Sequence, residues 1–370
     1  MTQAPFEIFL STAPGLEPYL LEETQELGFH EAKTAAGGVS FMGAWPDVWR
    51  ANLWSRGASR VLARIGSFRA FHLAQLDKRA RKFPWGDILR PGVPLRVEAT
   101  CKRSKIYHDR AAAQRIERAV KETLGAPISK DATLRLMVRI EDDLCTFSLD
   151  TSGAPLHQRG FKQFVAKAPM RETMAALLLR ACGYTGTEPV LDPMCGSGTF
   201  LIEAAEIAAG LAPGRARRFA FEDLASFDDA GWDAMRTKKA SRDSDQKFLG
   251  FDRDTGAVKG ANENAERAGV AAHVLVKHQP VSNLNRPDGP PGLVMVNPPY
   301  GARIGSKKPL YGLYASLGER LKNHFPGWRV GLVTTEPDLA KTTGLPFAPP
   351  GPPISHGGLK IKLWTTPPLL

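Results

Sequence analysis

Three polar residues of this 370-residue chain stand where chemistry could be done: Asp192, Asp252 and Asn297. Each follows an apolar run of strand length, namely Pro189 to Leu191, Phe248 to Phe251 and Leu293 to Val296. Ligands of open α/β sheets bind beyond the carboxyl ends of the strands, so residues in these places face a common edge. Asp192 opens the turn Asp192-Pro193-Met194-Cys195-Gly196-Ser197-Gly198-Thr199-Phe200. Gly196 and Gly198 let the backbone approach a ligand closely, and a helix predicted over Phe200 to Ala208 turns free N–H groups toward it. A dinucleotide turn would need a third glycine where this chain has Leu201, and no Gly-Lys-Ser/Thr follows as a phosphate loop requires. An acid inside the turn suits a zwitterion with an ammonium group better than a pyrophosphate. Asp252 is placed to accept hydrogen bonds from two ribose hydroxyls, whereas Asp254 fits better as the N-cap of a helix over Gly256 to Ala268. The two acids together point to an adenosine ligand without phosphates, S-adenosylmethionine.

Asn297-Pro298-Pro299-Tyr300 is built to receive a planar group. Two prolines fix the backbone and remove two N–H donors, so the loop presents carbonyl oxygens and the Asn297 amide oxygen. Such acceptors match an exocyclic amine, and holding both of its hydrogens draws the nitrogen toward the tetrahedral geometry needed for attack on a methyl group. Tyr300 can stack on a base swung out of its helix or loop. A methylated amine loses its proton readily, so positioning and electrostatics suffice without a histidine base. His108, His157, His278 and His356 show neither metal nor triad spacing and read as ordinary surface or core residues.

The charge distribution suggests what carries the base. Residues 1–55 hold two Lys/Arg against seven Asp/Glu, whereas residues 56–139 hold twenty against seven, a local excess larger than the net +11 of the whole chain. This concentration indicates a polyanion-binding surface, with nucleic acid the expected partner. The loop Lys102-Arg103-Ser104-Lys105-Ile106-Tyr107-His108 and the following helix, with Arg110, Arg115 and Arg118, are its densest part. The RNA-binding candidates are Lys102, Arg103, Ser104, Lys105, Arg110 and Arg115. Hydrophobic residues at 43% and charged residues at 24% are those of a globular domain. No apolar run is long enough to span a membrane, and Met1 to Leu10 does not read as a signal peptide, so a cytoplasmic protein is expected. Four scattered cysteines without a Cys-x-x-Cys pair argue against a disulfide framework or zinc knuckle, and no metal site is expected.

The elements that must position these groups follow from periodicity. Strand Phe6 to Ser11, helix Leu16 to Leu27 ended by Gly28, strand Val39 to Met42 and a helix from Trp45-Pro46 to Trp54 make a small α+β module, with Trp45, Trp49 and Trp54 as core anchors. The basic segment adds strands at Val61 to Phe68 and Leu95 to Cys101, helices at Leu73 to Phe83 and Asp109 to Leu124, and a hairpin of Leu134 to Ile140 with Leu144 to Leu149. Residues 153–168, rich in Gly, Pro and polar residues, are taken as a linker, leaving domains at 1–55, 56–152 and 169–370. The last alternates strands and helices, which predicts a doubly wound parallel sheet. It contains a polar insertion from Ala209 to Lys247, a loop from Gly344 to Gly358 and a final strand Lys360 to Thr365.

The run Asp192 to Ala205 and Asn297-Pro298-Pro299-Tyr300-Gly301 resemble the two signatures of the THUMP-domain class I RNA methyltransferases, in particular the guanine-N2 methyltransferases of bacterial 23S rRNA. Likeness extends over nearly the whole chain, through Gly37-Gly38-Val39, Arg50-Ala51-Asn52-Leu53-Trp54, Ser104-Lys105-Ile106-Tyr107-His108, His157-Gln158-Arg159-Gly160-Phe161 and Tyr314-Ala315-Ser316-Leu317-Gly318. The resemblance implies a ferredoxin-like module, a THUMP RNA-binding domain and a Rossmann-like methyltransferase domain with a final antiparallel strand. It implies that Asp192, Gly196, Gly198 and Thr199 hold the methionine part of the cofactor, with Met194 and Phe200 beside them. It places the ribose on Asp252 and the target base on Asn297, Pro298, Pro299 and Tyr300. Where such enzymes have an Asp near the adenine, this chain has His278-Gln279-Pro280, making Gln279 the candidate contact. The sequence ends at Leu370, so a second methyltransferase domain, fused in the longest members, is expected to be absent. The expected reaction is methyl transfer to the N2 amine of a guanosine in 23S rRNA. The alternatives are a tRNA guanine-N2 or adenine-N6 methyltransferase, or an RNA-binding assembly factor without catalysis.

Overall fold

The computed structural model describes residues 5–165, 170–237, 242, 244–300 and 308–370. The expected end of the linker at 168, the domain start at 169 and Gly301 of the second signature lie outside the described residues. The chain divides into two compact units, one built mainly from Leu21–Leu156 and one mainly from His157–Pro213 with the residues that follow the insertion. No helix among the described residues is long and apolar enough to cross a membrane.

The first unit holds β1 (Phe6–Ser11), β2 (Lys33–Ala35), β3 (Gly38–Gly43), β4 (Arg60–Arg69), β5 (Leu95–Lys102), β6 (Leu134–Glu141) and β7 (Leu144–Asp150) in one sheet, ordered β2-β3-β1-β4-β7-β6-β5. Neighbours are antiparallel except β5 and β6. Alternation sets the faces: on β6, Leu134, Leu136, Val138 and Ile140 are buried and the residues between them are more exposed. The boundary expected between 55 and 56 therefore falls inside a continuous sheet, because β1 pairs with both β3 and β4. Trp45 and Trp49 are buried as expected, and Trp54 is half-buried.

The domain ranges expected from sequence were contiguous, and here the structure differs. The insertion from Gly214 belongs to the first unit, although it lies between strands of the second in the sequence. Its apolar residues Phe219, Phe221 and Trp232 are buried, and the Phe221 ring lies 5.0 Å from Trp232 and 6.2 Å from Trp49. The Arg217 guanidinium donates to the carbonyls of Ser152, Ala154 and Pro155, at 2.6 to 2.9 Å. Aromatic burial and these hydrogen bonds, both remote in sequence, fix its place.

The second unit holds β8 (Val190–Asp192), β9 (Phe248–Asp252), β10 (Val274–His278), β11 (Leu293–Val296), β12 (Arg329–Thr334), β13 (Ile354–His356) and β14 (Leu359–Thr365), ordered β10-β9-β8-β11-β12-β14-β13. Strands β10 to β12 along this order are parallel, and β14 is antiparallel to both β12 and β13. This is a Rossmann-like sheet closed by an antiparallel strand. All four residues of β11 are buried, the pattern of a parallel strand covered on both faces. One such layer packs Val294, Val296 and Leu332 against Tyr314, Leu317, Leu321 and Phe325. Strand β13 lies in the stretch expected to be loop; it is three residues long and, among the described residues, pairs only with β14 across Gly357-Gly358, whose φ angles are +56° and +82°.

Candidate active site

The strand order reverses between β8 and β11: successive strands step away on opposite sides of this pair. Crevices at such a switch point are where open α/β sheets bind ligands. Asp192 ends β8 and Asn297 follows β11, so topology brings together two residues far apart in sequence. A cavity of about 860 Å³ opens here. It is lined by Asp192, Met194, Gly196, Thr199 and Phe200 of the expected cofactor residues and by Asn297, Pro298, Pro299 and Tyr300 of the expected base residues. Gly198, Asp252 and Gln279 are not part of the lining.

The turn after β8 is locked by hydrogen bonds within its backbone and from neighbouring elements. Cys195 N–H donates to Phe251 O at 3.0 Å, Gly198 N–H donates to Cys195 O at 2.8 Å, and the buried Asn264 amide donates to Ser197 O at 3.1 Å. Gly196 and Gly198 have φ of +53° and +77°, a region glycine enters without strain. A Cβ on Gly198 would also meet the Ala261 Cβ at 3.2 Å. Helix Thr199–Ala208 follows directly, one residue earlier than expected.

Asp192 is only 2% exposed, and its Oδ1 accepts the Met194 N–H at 3.0 Å. Burial, aided by the nearby Asp252 charge, pushes its carboxyl up to about 8 despite that hydrogen bond. Asp252 supports the turn directly: Oδ2 accepts the Gly196 N–H at 2.9 Å and Oδ1 accepts the Asp254 N–H at 3.0 Å. Each carboxylate oxygen keeps a lone pair for a further donor. Asp254 caps helix Thr255–Ala268 through the N–H groups of Gly256 and Ala257, the structural role expected of it. Gln279 donates its N–H to Asp252 O at 3.0 Å, while its side-chain amide donates to Asn283 O at 3.1 Å.

Across the cavity, the Asn297 Oδ1 is buried and has no hydrogen-bond partner among the described residues. One loop carbonyl is engaged, since the Tyr314 hydroxyl donates to Pro299 O at 3.4 Å. His157 and His356, expected to be ordinary histidines, both line the cavity. Sequence reasoning also missed Arg159, Lys162 and Glu172, which line it. Arg159 pairs with Glu203 at 2.6 Å and Glu206 at 3.3 Å, all three buried. The signal for this group was two cations, Arg159 and Lys162, just ahead of an apolar helix, in a stretch read as linker.

In the first unit, the basic loop before helix Asp109–Leu124 is held by the acidic turn of the β6–β7 hairpin. Arg103 pairs with Glu141 at 2.8 Å and Asp142 at 3.2 Å. Lys105 N–H donates to Asp143 Oδ1 at 2.8 Å, and Asp143 N–H donates to the Ser104 hydroxyl at 3.1 Å. Arg103 and Ser104 thus shape the loop, whereas Lys102, Lys105, Arg110 and Arg115 make no ion pair among the described residues, the first three exposed and Arg115 half-buried. Lys105 lies 5.0 Å over the Phe71 ring, and Tyr107 is 72% exposed.

A Rossmann-like sheet with a glycine turn and an Asn-Pro-Pro-Tyr loop at its switch point defines a class I methyltransferase domain. The chain belongs to the RMKL-like methyltransferase domain family, whose model matches residues 159–345, and residues 7–62 match the RlmL ferredoxin-like domain. It is 37% identical over 362 residues to the ribosomal RNA large subunit methyltransferase K/L of Syntrophotalea carbinolica, covering 92% of this chain and 51% of that protein. The chain thus spans about half the length of this relative. The structure of SMU.472 complexed with SAH superposes with a TM-score of 0.89 at 26% identity, covering 100% of both chains. A predicted N6-adenine-specific DNA methylase of Listeria monocytogenes superposes with a TM-score of 0.85 at 28% identity, over 98% of this chain and 96% of that one.

Proposed function

We propose that this chain transfers a methyl group from S-adenosylmethionine to the exocyclic N2 amine of a guanosine in RNA, with 23S rRNA as the substrate. The observation that carries transfer to an exocyclic amine is the Asn297 Oδ1, an acceptor buried beside the cavity with no donor of its own among the described residues. Leaving such a group unpaired costs about 1–3 kcal/mol, so it is kept where an incoming donor will use it. An amine supplies that donor. Tyr300 and Pro298, which line the same cavity, offer a ring face and a rigid wall for the base.

The residues present fit the cofactor. Asp192 is a buried acid in the cavity wall, suited to an ammonium group, and Asp252 retains acceptor capacity for ribose hydroxyls. Thr199 and the opening of its helix offer hydroxyl and N–H donors to the methionine part. When bound, S-adenosylmethionine supplies an electrophilic methyl on a sulfonium centre. The protein's part is to hold the amine at Asn297, stack the base on Tyr300 and exclude water from the cavity between β8 and β11. The SAH complex of SMU.472 supports S-adenosylmethionine as the methyl donor, and the K/L relative supports an RNA substrate. Lys102, Lys105, Arg110 and Arg115 form the RNA-binding surface of a THUMP domain, held in shape by Arg103 and Ser104.

The Asn297 oxygen recognises an amine and not a ring, and the similar Listeria monocytogenes structure is that of a predicted N6-adenine-specific DNA methylase. The test is incubation of the purified chain with labelled cofactor and rRNA or tRNA from cells lacking the gene, followed by nucleoside mass spectrometry. N2-methylguanosine in rRNA supports the proposal. N6-methyladenosine or label confined to tRNA selects an alternative enzyme, and no label on any RNA indicates an assembly factor without catalysis.

A further inference from the structure

Strands β4, β5 and β6 all end at one margin of the first sheet, where Arg69, Leu144, Glu141 and Lys102 stand side by side on neighbouring strands. Three large apolar side chains are exposed along this margin: Leu144 at 38%, Phe71 just past the end of β4 at 41%, and Tyr107 in the loop after β5 at 72%. A single exposed apolar residue calls for no explanation, but three at one margin, two of them aromatic, mark a contact surface. Ile106 is buried and anchors the loop, while its neighbours Lys105 and Tyr107 are exposed. The Lys105 Nζ lies 5.0 Å over the Phe71 ring, and the Tyr107 ring is braced against His108, with centroids 4.2 Å apart. His108 is the N-cap residue of helix Asp109–Leu124, so the brace stands on a rigid element.

The charges beside these rings select the occupant. Lys102, Lys105 and Arg110 are exposed and make no ion pair among the described residues. The acids of the same margin are engaged: Glu141 and Asp142 hold Arg103, and Asp143 and Asp109 accept the backbone N–H groups of Lys105 and Cys101. A duplex keeps its base faces stacked inside, so it would use the cations and leave the rings idle. An unpaired strand alternates phosphates with open base faces and uses both. Lys105 already covers Phe71, which leaves Tyr107 as the ring most open to a base.

We propose that Tyr107 stacks on an unpaired base of the RNA while Lys102, Lys105 and Arg110 hold the phosphates on either side, making this margin a site for a single-stranded segment. The proposal deepens the reading of RNA as the substrate and rests on it.

Fluorescence anisotropy of the intact chain with a labelled single-stranded RNA, and with a hairpin duplex of equal length, tests the assignment. Tyr107→Ala should weaken binding of the single strand by roughly five- to a hundredfold, the range for one base stacked on an aromatic ring, and change duplex binding by less than about twofold. Tyr107→Phe should keep the parent's affinity, whereas Tyr107→Leu, apolar but without a ring face, should not restore it. The slope of log affinity against log salt should stay the same in Tyr107→Ala, because stacking releases no counterions. Equal loss for strand and duplex, a fallen salt slope, full affinity in Tyr107→Leu, or no loss in Tyr107→Ala overturns the proposal. Tyr107 is on the surface, so melting temperatures matching the parent's separate these results from misfolding. If the parent chain binds neither RNA, the reading of RNA as substrate itself falls, a result distinct from failure of Tyr107.

Discussion

Asp192 makes the most exacting test, because its protonation state and its ligand are coupled. Its carboxyl is pushed up to about 8 by burial with the Asp252 charge adding to the effect, so at pH 7 about one molecule in ten carries the charge an ammonium group needs. A bound ammonium favours the carboxylate, so binding expels a proton. Affinity for S-adenosylhomocysteine should rise about tenfold, or about 1.4 kcal/mol, for each pH unit between roughly 6 and 7.5. The stability of the ligand-free protein should move the other way. An acid whose folded value lies above its unfolded one binds more protons when folded, so stability present at about pH 4 is lost progressively toward pH 8. Asp192→Asn removes both effects: it should bind the cofactor weakly with a flat pH profile, and gain stability relative to the parent as pH rises. Calorimetry in buffers of differing ionisation enthalpy would count the released proton, and thermal melts from pH 5 to 8 would follow the second effect. Affinity independent of pH over this range, or a pH slope surviving in Asp192→Asn, would refute the assignment of the ammonium to Asp192.

Three further outcomes follow from the geometry. Asn297→Ala should lower methyl transfer by about 10²–10³, as expected for loss of one preorganised partner, while leaving the melting temperature unchanged or higher because an unpaired buried acceptor is gone; a large drop in stability would make Asn297 structural. Gly198→Ala must accept φ of +77° and a contact at 3.2 Å, which costs about 1–2 kcal/mol and should depress the melting temperature by roughly 2–8 °C as read by calorimetry. Replacing Lys102, Lys105, Arg110 and Arg115 by Gln should reduce the slope of log affinity for single-stranded RNA against log salt by up to about 3, whereas Arg103→Gln alone should leave it nearly unchanged because its charge is paired with Glu141 and Asp142. Filter binding at several salt concentrations distinguishes the two.

What could be read in the sequence was local. Asp254 could be assigned as a cap because capping spans only a few residues, and the hairpin turn at Asp142 and Asp143, with φ of +48° and +63°, follows from residues that tolerate that backbone. The basic loop was legible as a charge excess, but not the division of labour within it. Arg103 and Lys105 look alike in sequence, and only the position of Glu141, Asp142 and Asp143 38 or 39 residues away commits one to an ion pair and leaves the other's ammonium over the Phe71 ring. The insertion from Gly214 looked polar because its few aromatic residues are diluted by charge, and their burial depends on a helix far earlier in the chain.

By itself the sequence determined the chemistry on offer: an acid in a glycine turn, an acid after a second strand, and an acceptor loop stiffened by two prolines. These need only strand ends and local backbone geometry, which short-range propensity and residue type dictate. Tertiary structure decided which groups share a cavity and in what state of charge. It joined the ends of β8 and β11 at a switch point, buried Asp192 until its carboxyl favours the neutral form, and carried Lys162 to Thr199 across 37 residues. Desolvation and long-range pairing depend on what packs around a residue, and no spacing along the chain encodes that directly.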